Sequence, residues 1–242
     1  MNVYHITYSD EAREAYIHFW GCNLNCRFCL LRREIYDCHL DDTREGIYTD
    51  KVSGRPGRFL SLSEVLGFLE PLEVERVIFM GAEPSLDFEL PRLARALKGR
   101  GAYNILLTNG FFVPDLEYID EVVFSIKAFD EGIHRELTGF SNKPALSNFG
   151  EFLRGVHKLR AESILIPPLV YFDEIERIAR FIAGFDENIP YRIDAYIPVG
   201  GIGRRPYGWE IEEASVRARR YLKNVSYLKG GEEVKFRVRR IY

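Results

Sequence analysis

Gly21-Cys22-Asn23-Leu24-Asn25-Cys26-Arg27-Phe28-Cys29 sets three thiols on one short loop, directly after the apolar stretch Tyr16 to Trp20. A C-x3-C-x2-C spacing puts the sulfurs too close in sequence to act as ordinary structural staples. It does let one turn of backbone wrap a compact iron–sulfur cluster from one side. Three ligands for a four-iron cube leave one iron open. The competing reading is a tetrahedral zinc site, which needs a fourth ligand such as Cys38, His18 or His39, and zinc sites more often pair cysteines as C-x2-C. Four cysteines in 242 residues are few for a disulfide framework.

With 46% hydrophobic residues, 242 residues can bury a full core as one domain. That domain is expected over 1–242, with its core at about 15–200 and a C-terminal helix and strand extension at 201–242. A net charge of -3 gives no reason to expect a nucleic-acid partner, despite the local basic patch Arg237 to Arg240. Met1 to Ala15 is polar and charged, and no apolar run approaches a membrane span or a signal segment, so a cytoplasmic protein without membrane partners is expected. Free cysteines fit a reducing compartment. Glutamine is absent, methionine occurs twice and 29% of residues are charged, which leans toward a thermophilic source.

Tyr16 to Trp20, Arg76 to Met80, Asn104 to Thr108, Val122 to Ile126, Ser163 to Ile166 and Tyr191 to Tyr196 read as strands, being short and β-branched or aromatic. Between them, Leu86 to Lys98, Asp130 to Leu137 with Leu146 to Arg160, and Phe172 to Phe185 have helical spacing. Ser61 with Glu64 predicts a capping box opening a helix to Leu69. Glu210 to Lys223 predicts a last helix and Val234 to Ile241 a terminal strand. Asp41 to Arg58, with its glycines and Pro56, is the expected irregular excursion. This is a parallel α/β rhythm, and six βα steps suggest a partial barrel. Such barrels place chemistry on loops leaving the C-terminal strand ends. The cysteine loop, Gly81-Ala82-Glu83-Pro84, Thr108-Asn109-Gly110 and Ser125-Ile126-Lys127 all fall there.

With the aromatic Phe28 just before its third cysteine, the loop resembles the signature of the radical S-adenosylmethionine (SAM) enzymes. The resemblance implies a partial (βα)6 TIM-like barrel, a [4Fe-4S] cluster on Cys22, Cys26 and Cys29, and SAM chelating the open iron. It also implies cleavage of SAM to a 5'-deoxyadenosyl radical for hydrogen abstraction, the cofactor doing the hard chemistry. Met80-Gly81-Ala82-Glu83-Pro84 is similar to the family's GGEP segment with alanine for its second glycine. Its strand-edge carbonyls and the Glu83 carboxylate would accept from the SAM ammonium. Ser125 and Lys127 alternate with apolar neighbours, so both face one side, where Lys127 would meet the SAM carboxylate or ribose. Thr108 and Asn109 either bind ligand or make the turn. Pro198 and Val199 would pack the adenine.

The stretch Ile126 to Asn142, with its Leu137-Thr138-Gly139-Phe140-Ser141-Asn142 run, narrows the resemblance to the glycyl-radical enzyme activases, such as pyruvate formate-lyase activating enzyme. Thr108-Asn109-Gly110-Phe111 matches their third-strand end. The resemblance runs patchily from about Tyr16 to Pro198. It implies a protein substrate, with a glycyl-radical enzyme as partner and an electron donor such as ferredoxin or flavodoxin. Those activases usually have aspartate where Ser125 stands and arginine in the fifth strand, where this chain reads Ile164-Leu165-Ile166-Pro167-Pro168, so the SAM pocket is altered. Two alternatives stay open: a radical SAM reaction on a small molecule in cofactor biosynthesis, and an iron–sulfur electron carrier or metal-stabilised binding module, which has no use for Glu83 and Lys127. His134 reads as a packing or surface histidine, and Gly200 to Trp209 as a mobile loop carrying Tyr207 and Trp209.

Overall fold

A computed structural model describes residues 1–32, 54–199, 201–232 and 236–242. Cys38, His39, Gly200, Val234 and most of the expected excursion from Asp41 therefore lie outside the described residues.

The strands are β1 (Val3–Ser9), β2 (Glu14–Phe19), β3 (Arg76–Gly81), β4 (Tyr103–Thr108), β5 (Glu121–Ser125), β6 (Lys158–Leu165), β7 (Tyr191–Ala195), β8 (Val225–Leu228) and β9 (Arg239–Arg240). They form one sheet in the order β8-β7-β6-β5-β4-β3-β2-β1-β9. From β2 through β8 every neighbouring pair is parallel. β1 and β9 add an antiparallel edge. The helices are α1 (Leu62–Leu69), α2 (Leu90–Lys98), α3 (Glu131–Thr138), α4 (Lys143–Gly155), α5 (Phe172–Ala183) and α6 (Gly208–Ala218). The result is an open α/β sheet of the partial-barrel kind.

Alternation along each strand separates two faces. Ile17, Phe19, Val77, Phe79, Leu106, Val122, Phe124, Ala161 and Ile193 point outward and share one core with the apolar stripes of the helices, including Leu93 of α2, Phe149 of α4 and Ile178 of α5. Tyr16, Ile78, Ile105 and Val123 point inward and form a second cluster, on which Phe236 and Val238 of the C-terminal segment pack. On β6 and β7 the inward positions are charged instead: Arg160, Glu162, Arg192 and Asp194. Local signals fix the helix ends. The Ser61–Glu64 capping box opens α1, Asp130 caps α3 through the Ile133 amide, and Gly139 (φ 83°) ends α3 in the left-handed region.

Several expectations are corrected. Val3–Ser9, inside the polar N-terminus, is a fully buried strand, with Val3, Ile6 and Tyr8 in the core and its edges paired to β2 and β9. The helix expected over Leu146 to Arg160 is α4, which starts three residues earlier and ends five earlier, and Lys158 to Arg160 already belong to β6. There, alternation of charged and apolar residues outweighs helical spacing. Leu86 to Phe88 precede α2, whose start is fixed by Pro91 at its first turn. The last helix runs Gly208–Ala218, and Val225–Leu228 adds a seventh parallel strand. Among the described residues of the terminal stretch, Arg239–Arg240 form a short strand against β1, and the Ile241 amide donates to the Ile6 carbonyl at 2.9 Å.

Candidate active site

The cysteine loop leaves β2 through Gly21, which adopts φ 97°, and is pinned on two sides. On one, the amides of Asn25 and Arg27 donate to the carbonyls of Thr138 and Leu137, each at 2.9 Å. These are end-of-helix carbonyls of α3 that have no partner within the helix, so the Leu137 to Asn142 run supports the loop directly. On the other, the amides of Ala82 and Glu83 donate to Phe19 and Gly21 at 2.9 and 3.0 Å. Gly81 makes this approach possible. It adopts φ 104°, and a Cβ there would lie 2.6 Å from the Phe19 carbonyl oxygen, so the position admits only glycine. Cys22 is exposed, Cys29 half-buried and Cys26 buried.

Glu83 is buried, and its carboxylate ties the β3 and β4 ends together. It accepts from the Ser85 amide (3.1 Å) and hydroxyl (2.6 Å), the Thr108 hydroxyl (2.7 Å) and the Asn109 amide (2.7 Å). Burial pushes its carboxyl up, while these hydrogen bonds pull it back toward ionisation. Asn109 continues the knot, its side-chain amide reaching Asn23 Oδ1 at 2.9 Å and Cys22 Sγ at 3.7 Å. Gly110 (φ 78°) completes that turn against the Phe124 ring. Thr108 and Asn109 thus serve the turn, and Glu83 is mostly occupied by the protein itself. Sequence reasoning missed that role, because a carboxylate's partners from other strands leave no local pattern.

These elements surround a cavity of about 250 Å³ whose lining includes Cys22, Cys26, Phe28, Cys29, Gly81, Ala82, Glu83, Thr108, Asn109, Ser125 and Lys127. Residues from four strand ends are thereby brought together. The Lys127 ammonium lies 5.9 Å from the Phe28 ring centre, a cation–π geometry. Among the described residues it makes no ion pair. Met80, Leu107, Glu162 and Ile164 also line the space. Glu162 was not singled out from sequence; its inward place on β6, beside Ser125, could have been found by counting strand alternation.

Pro198 and Val199 do not line this cavity. Val199 is buried in the core, and its amide donates to the Tyr196 hydroxyl at 2.9 Å. The loop expected to be mobile is anchored over its described residues. The Arg204 amide donates to the Pro167 carbonyl at 3.0 Å. The Arg204 guanidinium forks onto Glu210 through two bonds of 2.7 Å. That pairing holds the Glu210 carboxyl down at about 2 while Tyr207 and Trp209 stay exposed. His134 is buried, its Nδ1 2.7 Å from the Phe140 carbonyl, and desolvation lowers its pKa. It packs the end of α3.

Among the described residues no three His, Cys, Asp or Glu side chains gather closely enough for one metal ion. Three thiols around a shared cavity suit a larger polynuclear group, and the free ammonium suits an anionic ligand beside it. His18, a candidate fourth zinc ligand, is buried within β2 against His5. Among the described residues no helix is long and apolar enough to cross a membrane.

Comparison with known proteins agrees with this geometry. The model of the radical SAM superfamily matches residues 16–182. A Methanocaldococcus jannaschii protein, provisionally named a glycyl-radical enzyme activating enzyme, is 31% identical over 235 residues, covering 93% of this chain and 84% of that protein. An S-adenosylmethionine-dependent nucleotide dehydratase of Lacinutrix mariniflava is 29% identical over 136 residues, 50% of this chain and 26% of that one. Streptococcus suis SuiB, in its crystal structure bound to precursor peptide SuiA, superposes with a TM-score of 0.63 at 17% identity, over 85% of this chain and 46% of SuiB. That likeness is one of fold, and the chain spans under half of SuiB's length.

Proposed function

Because the chain belongs to the radical SAM superfamily, which implies a [4Fe-4S] cluster and SAM, we propose that Cys22, Cys26 and Cys29 ligate the cluster and that SAM binds beside it. The observation carrying this reading is convergence. Three thiols, the Gly81–Ala82 strand edge, Asn109, Ser125 and Lys127 share one cavity though they come from four strand ends. When bound, the cluster and SAM supply a reductively generated carbon radical able to abstract hydrogen.

This chain's residues do the holding. The thiols bind iron as thiolates, so loading the site releases protons. Lys127, which makes no ion pair among the described residues, offers its charge to the carboxylate of SAM. The strand-edge carbonyls near Gly81 and Ala82 accept from the SAM ammonium. Glu83, taken up by four protein donors, keeps that edge and Asn109 in place. Phe28 screens one side of Lys127 from water.

The substrate we assign is a protein, with hydrogen taken from a backbone glycine of a partner enzyme and the electron supplied by a ferredoxin or flavodoxin. Support comes from the activase-type name of the Methanocaldococcus jannaschii relative and from the Leu137 to Asn142 run that braces the cysteine loop. A small-molecule substrate is the second reading, favoured by the similarity of half the chain to a nucleotide dehydratase. Electron paramagnetic resonance separates them. Reconstituted, reduced protein with SAM and a glycyl-radical enzyme from the same genome should leave a glycyl radical on that enzyme. SAM-dependent consumption of a nucleotide, with no protein radical, would overturn the activase assignment.

A further inference from the structure

Lys127 lies just past the sheet. β5 ends at Ser125, and the Ile126 amide still reaches the Glu162 carbonyl at 2.8 Å. Lys127 follows, half-buried, between Ile126 and Ala128, whose side chains are buried in the core. With no ion pair among the described residues to hold it, its ammonium is aimed by the backbone that carries it. The next three residues, Ala128, Phe129 and Asp130, form a bend that belongs to neither β5 nor α3.

Two buried side chains from other elements fix that bend. Glu174 of α5 accepts through Oε2 from the Phe129 amide at 2.8 Å and the Asp130 amide at 3.0 Å. Its Oε1 pairs with Arg177 at 3.3 Å, and Arg177 also reaches Asp130 Oδ2 at 3.4 Å. Asn142 donates through Nδ2 to the Ala128 carbonyl at 3.3 Å and the Phe129 carbonyl at 2.5 Å. Both residues stand where they would ordinarily serve their own helices. Asn142 is the N-cap of α4 yet makes no side-chain capping bond, although asparagine is among the best caps. Glu174 is the third residue of α5, a position from which glutamate can reach back to its own helix start. Each is spent on the bend instead.

The bend also opens α3. Asp130 caps that helix through the Ile133 amide at 3.0 Å, and the far end of the helix presents the Leu137 and Thr138 carbonyls that hold the cysteine loop. One clamp therefore bears on Lys127 directly and, through the eight residues of α3, on the loop of the three thiols. We propose that Glu174 and Asn142 are positioning residues for Lys127: by fixing the Ala128-Phe129-Asp130 bend from its amide and carbonyl sides, they keep the ammonium turned into the cavity. This rests on Lys127 meeting SAM there, and adds what aims it.

The test is calorimetric titration of SAM into anaerobically reconstituted protein, with each substitution made in the wild type and again in Lys127→Ala. Glu174→Ala should weaken SAM binding roughly three- to tenfold, because an ammonium that is no longer pre-placed must be ordered on binding. Asn142→Ala loosens the same bend and leaves α5 untouched; it should do likewise, and it supplies the reading if Glu174→Ala does not fold. Glu174→Gln should bind close to wild type, since its amide oxygen can accept from the same two N–H groups. In the Lys127→Ala background both alanine substitutions should cost less than about twofold, because they act through that ammonium. The same loss with and without Lys127, or a lowered melting temperature with SAM affinity unchanged, would make the two residues structural only and overturn the assignment while leaving SAM binding intact. A wild-type protein that does not bind SAM, or a Lys127→Ala protein that binds it as well as wild type, would overturn the functional reading and this inference with it.

Discussion

At the ends of β2, β3 and β4 the cavity wall is closed by the protein's own hydrogen bonds: Glu83 holds four donors and Asn109 reaches the cysteine loop. At the ends of β5, β6 and β7 the wall is charged and only partly satisfied, with Lys127 making no ion pair among the described residues and the Asp194 carboxyl pushed up to about 6 by burial. A cluster gains from the first arrangement, because its ligands must be placed before metal arrives and must not relax. A ligand that enters and leaves needs the second, where hydrogen-bonding capacity is left open. On this contrast, substitutions in the first half should cost stability and those in the second should cost ligand affinity.

Gly81→Ala should have the largest effect. Its Cβ would press on the Phe19 backbone and its φ is unfavourable for alanine, a cost of about 3 kcal/mol. Thermal melting should fall by roughly 10 °C. An unchanged melt would mean that β2 and β3 are not locked together as described.

Glu83→Ala should follow, because it orphans the Ser85, Thr108 and Asn109 donors at a cost of about 2 to 3 kcal/mol. Chemical denaturation would measure it, and weaker cluster retention should accompany it through Asn109. A stable, fully loaded variant that merely bound SAM weakly would turn Glu83 back into a simple ligand contact.

Lys127→Ala should do the opposite. With no ion pair to lose, melting should move little, and SAM should bind about ten- to a hundredfold more weakly by calorimetry. Loss of stability comparable with that of Glu83→Ala would erase the distinction between the halves.

Asp194→Asn should give the smallest change, and its sign depends on pH. The folded carboxyl sits near 6, above its ordinary 3.8, so folding binds a proton more tightly than the unfolded chain does. That contribution is full below about pH 4 and is lost as pH rises through about 6. Asparagine removes the dependence. The variant should therefore melt slightly above wild type at pH 7.5, by about 1 kcal/mol after loss of the Arg192 pairing, with no such advantage at pH 4. A variant equally destabilised at both values would contradict the direction of the shift.

The same division runs through what could be read from sequence. The cysteine loop, the Gly81 to Pro84 segment, Thr108 to Gly110 and the Ser125–Lys127 alternation are local patterns, and their place at strand ends followed from them. Glu83 as a knot, and the bond between Glu162 and Arg192, depend on partners from other strands, which no local window contains; only the inward place of Glu162 on β6 was open to a count of strand alternation. β1 was hidden because its polar positions are buried beside β2, and β8 because its four residues are shorter than any reliable alternation. The loop before α6 looked mobile from its glycines, yet Glu210, a buried acid at the first turn of a helix, holds Arg204 in place.

The central claim is that three cysteines hold a four-iron cluster at which SAM binds. Anaerobic reconstitution followed by iron, sulfide and zinc analysis tests it most directly. The account predicts about four irons and four sulfides per chain, lost in Cys22→Ala, Cys26→Ala or Cys29→Ala, and a reduced-cluster resonance that shifts when SAM is added. One equivalent of zinc without sulfide, or a cluster resonance indifferent to SAM, would contradict it.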